Sequence, residues 1–352
     1  MAIDRSGDTD LLARMPKAEL HLHLDGSLRP ETALELARER GLDEGMSLNQ
    51  MCARLTAPRQ VGNQARLLEA FDMPIAIMQD ADALYRVTHE LVEDVARDGT
   101  RYLEIRWGPL LHVQRGLDLA DGIAAVAAGA RAASEVTGVI VRLIAVAIRS
   151  HPPDANAVMA RVAATFLDQG LTGFDLAGPE EAFPDPLAHA RAFEIAREAG
   201  LGITIHAGEW GGAAQVRAAL AVSPARIAHG AAAADDASLM AELAARGITL
   251  DVCPTSNVQA SIFPSLANFP LRRLLDARVP LTLSTDDRTV SDLTLVREYE
   301  RVHAALRISV ADLWRMNRHA LDAAFVHDNE ALREALRAEF DSFAAGHPVL
   351  VA

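Results

Sequence analysis

The stretch KAELHLHLDGS, residues 17–27, sets leucines against ionisable side chains: Leu20, Leu22 and Leu24 alternate with Glu19, His21, His23 and Asp25. A repeat of two is the period of a β-strand, so the leucines share one face and the ionisable row the other. Taking such groups out of water is costly unless each finds a partner. A strand that keeps this row needs an apolar layer behind its leucines and something to satisfy two imidazoles spaced i and i+2.

Further β-like runs follow: RYLEIRW, VIVRLIAVAI, TGFDL, GITIHA, RIAHG, ITLDVC and PLTLSTD. Between them lie Ala-rich segments with helical spacing, such as DGIAAVAAGARAASEVTG and DPLAHARAFEIAREAG, several ending in Gly just before the next strand. Strands alternating with helices predict parallel βα units. Eight such units predict an α/β fold, a closed (β/α)8 barrel of the TIM type. Two additions are expected: a helical insertion after the first strand, over residues 42–98, and extra C-terminal helices from about Ser291, packed outside. Long insertions at a barrel rim are usually functional covers. No linker, low-complexity segment or repeat divides the chain, so residues 1–352 read as one barrel domain.

A net charge of −14 with a pI near 5.3 removes the basic footprint that nucleic acid or an anionic membrane requires. Cys52 and Cys253 stand far apart without a CxxC pair, which suggests a reducing compartment. The segment MAIDRSGDTDLLARMP has no apolar signal-peptide core, and no run of about 18 apolar residues spans a membrane. The expectation is a soluble cytoplasmic protein. Lys17 is the sole lysine, which removes chemistries that depend on one elsewhere.

Barrel active sites form at the C-terminal ends of the strands. There the sequence puts His21, His23 and Asp25 (first strand), Gly178 (after the fourth), His206 and Glu209 (HAGE, fifth), His229 (AHG, sixth), CPTSN (seventh) and Asp286-Asp287 (STDD, eighth). Three histidines and one carboxylate suit a zinc-like divalent ion at about 2.0–2.2 Å. Singly, each residue has a plainer reading. A strand histidine is usually a hydrogen-bonded core or surface group, Glu209 a loop carboxylate, and Asp286-Asp287 a turn or helix cap. Their convergence on one rim favours the site. Glu19 points the same way but deeper and reads as half of a structural ion pair. Arg106 and Trp107 read as rim residues that anchor loops, and Cys253 as a small buried hydrophobe. Leu68 and Phe71, at helical spacing in RLLEAFD, read as core packing or as part of the cover.

The motifs PKAELHLHLDGS, GFDLAGPE, HAGE, RIAHG, CPTSN and STDD, in this order, resemble the adenosine deaminase family of metal-dependent hydrolases. The resemblance runs from about Pro16 to beyond Asp287. It implies one zinc ion per chain, held by His21, His23, His206 and Asp286. It implies that Glu209 protonates a purine ring nitrogen, while His229 and Asp286 orient and deprotonate the attacking water. Asp287 would hydrogen-bond the five-membered ring, the Gly178 N–H another ring nitrogen, and Asp25 a ribose hydroxyl. Leu68 and Phe71 would cover the substrate, with His23 beside it. The implied reaction is hydrolytic deamination of adenosine, and of 2′-deoxyadenosine, to inosine or its deoxy form and ammonia, a step of purine salvage. The implied partner is a small purine nucleoside; oligomeric state is left open.

Two other readings compete. Two-metal barrel hydrolases bridge their ions with a carboxylated lysine after the fourth strand, where this chain has FDLAG. A barrel with a purely structural zinc gives no reason for Glu209, His229 and Asp287 beside the ion. Among substrates, adenine, an aminofutalosine-type nucleoside and an N6-substituted adenine nucleoside stay open. DDRTVS replaces a pattern in which proline often follows the aspartates, and HGAAAA follows His229; both are expected to reshape the sugar pocket.

Overall fold

The computed structural model describes residues 6–327 and 329–351. Eight parallel strands run in the order β1 to β8: β1 (Lys17–His23), β2 (Thr100–Trp107), β3 (Ile140–Ile148), β4 (Leu171–Ala177), β5 (Gly202–Ala207), β6 (Arg226–His229), β7 (Thr249–Val252) and β8 (Leu281–Leu283). The ring closes just beyond β8. There His23 N–H donates to Asp286 O at 2.8 Å, and Asp286 N–H to His21 O at 3.1 Å. The expected (β/α)8 architecture is therefore present. Leu20, Leu22 and Leu24 are buried in the main apolar core between strands and helices.

Of the insertion expected over 42–98, the helix Ala81–Arg97 belongs to the outer ring, where it packs against Leu119–Thr137. Gln64–Leu68 and the turn Glu69–Phe71 sit over the barrel mouth. They rest on a small apolar cluster apart from the barrel core, formed by Ala57, Val61, Leu67, Ala70, Ala260 and Val290, with Phe71 and Trp210 at its edge. Of the C-terminal helices, Val310–Ala323 packs on β1 and β8 and completes the outer layer. The N-terminal helix Ser6–Arg14, which its polar composition did not announce, packs on Leu295–Leu306 and buries Leu11 and Leu12.

Lys17 closes the base of the barrel. Its ammonium donates to the carbonyls of Ala13 (3.0 Å), Met15 (2.8 Å) and Asp98 (3.0 Å), and burial lowers its pKa to about 8. Among the described residues no helix is long and apolar enough to cross a membrane.

Two expectations need correction. Arg106 and Trp107 do not anchor rim loops. Glu104 and Arg106 share the inward face of β2, and Arg106 is fully buried, donating to Asp175 Oδ2 (2.8 Å) and Leu20 O (2.7 Å). Trp107, on the opposite parity, is buried in the core. Nor does Glu19 form half of an ion pair. Its Oε1 accepts from the backbone N–H (2.9 Å) and hydroxyl (2.6 Å) of Thr285, and burial raises its pKa to about 7.

Candidate active site

β1 ends with its inward face at the barrel mouth, so His21 and His23 enter the same space as His206 from β5. His23 Nε2 lies 3.3 Å from His21 Nε2, 3.2 Å from His206 Nε2 and 3.4 Å from Asp286 Oδ1. His21 Nε2 is 2.9 Å from Asp286 Oδ1. Two ligands at about 2.0–2.1 Å from a tetrahedral ion sit about 3.3–3.4 Å apart, so these spacings fit a small dication. His229 also brings a ring nitrogen within 4.8 Å of donor atoms on His21, His206 and Asp286. Its Nε2 stands farther off, 3.8 Å from Asp286 Oδ2 and 3.7 Å from Glu209 Oε2, facing both carboxylates.

The charge states suit such an ion. Burial lowers the pKa of His21, His23 (to about 4) and His229, leaving neutral imidazoles, the form that binds a metal. Burial works against ionisation of Asp286, but the neighbouring His21 and His229 hold it well below the usual carboxylate range. Asp287 moves the other way, pushed well up by burial and by the charges of Asp286 and Asp25. Glu209 is raised to about 8 by burial and by the charge of Asp286, so it carries a proton at neutral pH.

Several positioning groups escaped the sequence reading. Asp175, inward on β4, lies 2.9 Å from His206 Nδ1 and accepts from Arg106, the kind of outer contact that orients a ligating imidazole. The CPTSN segment forms the helix Pro254–Gln259. Its Ser256 Oγ donates to Asp286 Oδ2 at 2.7 Å, and Asn257 Nδ2 is 3.1 Å from His229 Nδ1. His112 Nε2 is 3.5 Å from Asp25 Oδ2, and holds that carboxyl low against its burial. Asp175, Ser256 and Asn257 were signalled by motif membership without a role, and His112 by nothing in the quoted motifs.

A cavity of about 320 Å³ opens above the cluster, within the range of small-molecule sites. The structure brings together on its wall His23, Asp25, Gly178, His206, Glu209, His229, Asp286, Asp287, Leu68 and Phe71. His21 sits beneath, fully buried. Leu68 and Phe71 thus face the cavity rather than the barrel core. Among the described residues, buried Asp25 Oδ1 and Asp287 Oδ1 have no hydrogen-bond partner. Gly26 permits that layout, because a Cβ there would stand 1.7 Å from Asp287 Oδ1. Glycine at 208 permits close packing against the helix Gly212–Ala219. It takes φ +73°, and a Cβ would stand 2.4 Å from Val216. In the DDRTVS and HGAAAA segments, the aspartates line the cavity and Val290 joins the cluster beneath the cover. Arg288 turns away to Asp98 Oδ2 (2.6 Å), and Ala231–Ala234 are buried off the cavity wall.

The adenosine deaminase family model matches residues 16–342. An adenosine deaminase of Clostridium perfringens is 34% identical over 93% of this chain and 98% of its own length. Among solved structures, an adenine deaminase from Arthrobacter aurescens superposes with TM-score 0.85 at 27% identity, over 94% of this chain and 99% of that one. A zinc-bound amidohydrolase from Burkholderia ambifaria gives 0.86 at 26% over 98% and 96%. An N6-methyl-AMP deaminase from Arabidopsis thaliana gives 0.83 at 29% over 96% and 100%.

Proposed function

Because the chain belongs to the adenosine deaminase family of metal-dependent hydrolases, we propose that it deaminates adenosine, and 2′-deoxyadenosine, to the corresponding inosine and ammonia, with one zinc ion per chain. The donor set of His21, His23, His206 and Asp286 would hold the ion. When bound, zinc lowers the pKa of a water towards neutrality. His229 and Asp286 accept the water's proton as its oxygen attacks the ring carbon bearing the amine. Attack breaks the ring's aromaticity, so the adjacent nitrogen must take a proton in the same step. Glu209, still protonated at neutral pH, supplies it. Asp287, held in its acid form, offers a donor to the five-membered ring, and the Gly178 N–H approaches a third ring nitrogen. The amine takes up the proton that His229 and Asp286 accepted and leaves as ammonia, while the new hydroxyl returns its proton to Glu209 as the carbonyl forms.

Glu209's buried acid beside the His/Asp cluster carries the deaminase reading. The choice of a nucleoside rests on the rest of the wall. Asp25 offers an unpartnered acceptor for a ribose hydroxyl, while no lysine or arginine lines the cavity among the described residues. A 5′-phosphate would instead meet a wall whose charged groups include the carboxylates of Asp25 and Asp72. An ultraviolet assay with ammonia release tests this across adenosine, 2′-deoxyadenosine, adenine, an aminofutalosine-type nucleoside, N6-methyladenosine, AMP and N6-methyl-AMP. Adenosine should show the highest kcat/KM, with AMP at least ~10-fold lower, the scale of one lost charge partner. Free adenine or a nucleotide turned over faster than adenosine overturns the substrate assignment.

A further inference from the structure

Glu180 is buried in the loop after β4 and makes no ion pair among the described residues, yet its carboxylate is fully engaged by backbone donors. Oε1 accepts from Gly208 N–H at 2.8 Å; Oε2 accepts from Trp210 N–H at 2.7 Å and Gly211 N–H at 2.8 Å. Those donors bracket Glu209. Resting on the deaminase reading above, we propose that Glu180 is a positioning residue, whose carboxylate grips the turn that aims Glu209 at the substrate.

Hydrogen bonds from backbone N–H to a carboxylate are roughly twice as strong as neutral ones. Bonds on both sides of one residue restrict the backbone that sets its side chain's direction. At its far end the turn runs through Gly211 into the helix Gly212–Ala219, so the Glu180 bonds fix how Glu209 sits between strand and helix. At its near end Arg149 holds it, donating to His206 O (2.9 Å) and to Phe183 O (3.0 Å) in Glu180's own loop. Arg149 and Glu180 thus clamp the β4 loop and the β5 turn at two points. The same turn carries Trp210, whose ring joins the cluster that seats the cover. General-acid transfer depends on placement to within a fraction of an ångström, and a shift of about 1 Å can cost on the order of 100-fold.

Glu180→Gln keeps the shape but sets an NH2 group against backbone donors, so one side of the grip is lost. With adenosine as substrate, kcat should fall ~10–100-fold while KM stays within about threefold and zinc content is unchanged. The deciding measurement is a double-variant cycle. If Glu180 works through Glu209, adding Glu180→Gln to Glu209→Gln should slow the enzyme no further. Independent, multiplying losses, or an unchanged kcat in the Glu180→Gln variant, overturn the proposal. Glu180→Asp, which keeps the charge at shorter reach, covers the case in which the glutamine variant does not fold. Its kcat should lie below the wild type and above Glu180→Gln where both fold, and a wild-type kcat counts against the proposal. If Glu209→Gln alone leaves kcat intact, the assignment of the acid has failed; if only the Glu180 variants are silent, that assignment survives and the positioning role does not.

Discussion

His229 and Asp286 both adopt left-handed backbone conformations, with φ of +62° and +69°, although neither is glycine. Such conformations cost about 1–3 kcal/mol each and persist where surrounding bonds over-determine them. For Asp286 those bonds are to β1, since its N–H and C=O both pair with strand backbone beside His21 and His23. The strain places a carboxylate where a regular strand would not. Nearby, Glu209 has its proton retained by burial and by the charge of Asp286. Glu209→Gln keeps the shape without the transferable proton, so kcat should fall by at least ~100-fold, the scale of general-acid catalysis. Zinc content should hold and ground-state nucleoside binding should change little. Loss of zinc in this variant would put Glu209 among the ligands. Asp25→Ala tests the sugar contact. It should depress turnover of adenosine far more than any turnover of free adenine, and equal losses on both would make Asp25 a structural residue.

At the scale of elements, the helix Pro254–Gln259 supplies the groups that touch Asp286 and His229, and it is itself held from outside the barrel. Glu298, on the helix Leu295–Leu306, accepts from Thr255 N–H at 2.8 Å and from the Thr255 hydroxyl. The C-terminal helices therefore do more than cover the barrel wall. Burial raises Glu298 from 4.5 to about 7, so the folded protein keeps a proton that the unfolded chain releases earlier. Stability from this group is present below pH 4.5 and is lost as pH rises through about 7. The loss has an upper bound of about 3 kcal/mol. Glu298→Gln, whose amide can still face the Thr255 hydroxyl, should remove that dependence. Denaturant melts at pH 5 and pH 8 should show the variant gaining on the wild type as pH rises. A difference that does not change with pH would mean Glu298 is already ionised at pH 5.

Across the whole molecule, the barrel interior carries charge along much of its length. Arg226 lies fully buried between Glu104 and Asp251, with Nε 3.0 Å from Asp251 Oδ2, and Arg106 continues the series to Asp175 beneath His206. Buried pairs add little net stability, but removing one partner strands the others in a poor dielectric. Arg226→Met leaves Glu104 and Asp251 without their cation. It should destabilise the fold by about 3–5 kcal/mol in denaturant unfolding. Replacing all three by apolar residues of similar volume should recover most of that loss. If Arg226→Met alone is neutral, the two carboxyls have taken up protons and the barrel interior carries less charge than three ionised groups would give it.

The repeat of two in HLHLD, the βα alternation and the helix stops are local properties of the chain, set by backbone geometry and side-chain sterics. They were enough to read the barrel, its order and the residues at the strand ends, because a closed barrel brings those ends to one rim. The partners of those residues were not legible. Arg106 meets Asp175 across 69 positions of sequence, and Ser256 meets Asp286 across 30. Such meetings depend on how far each strand is staggered against the next, which no single segment encodes. The same holds for Glu19, whose inward direction was readable while its hydrogen bonds to Thr285, 266 positions away, were not. Residue type and period decided which groups face the barrel axis, and strand register decided the height at which each one stops.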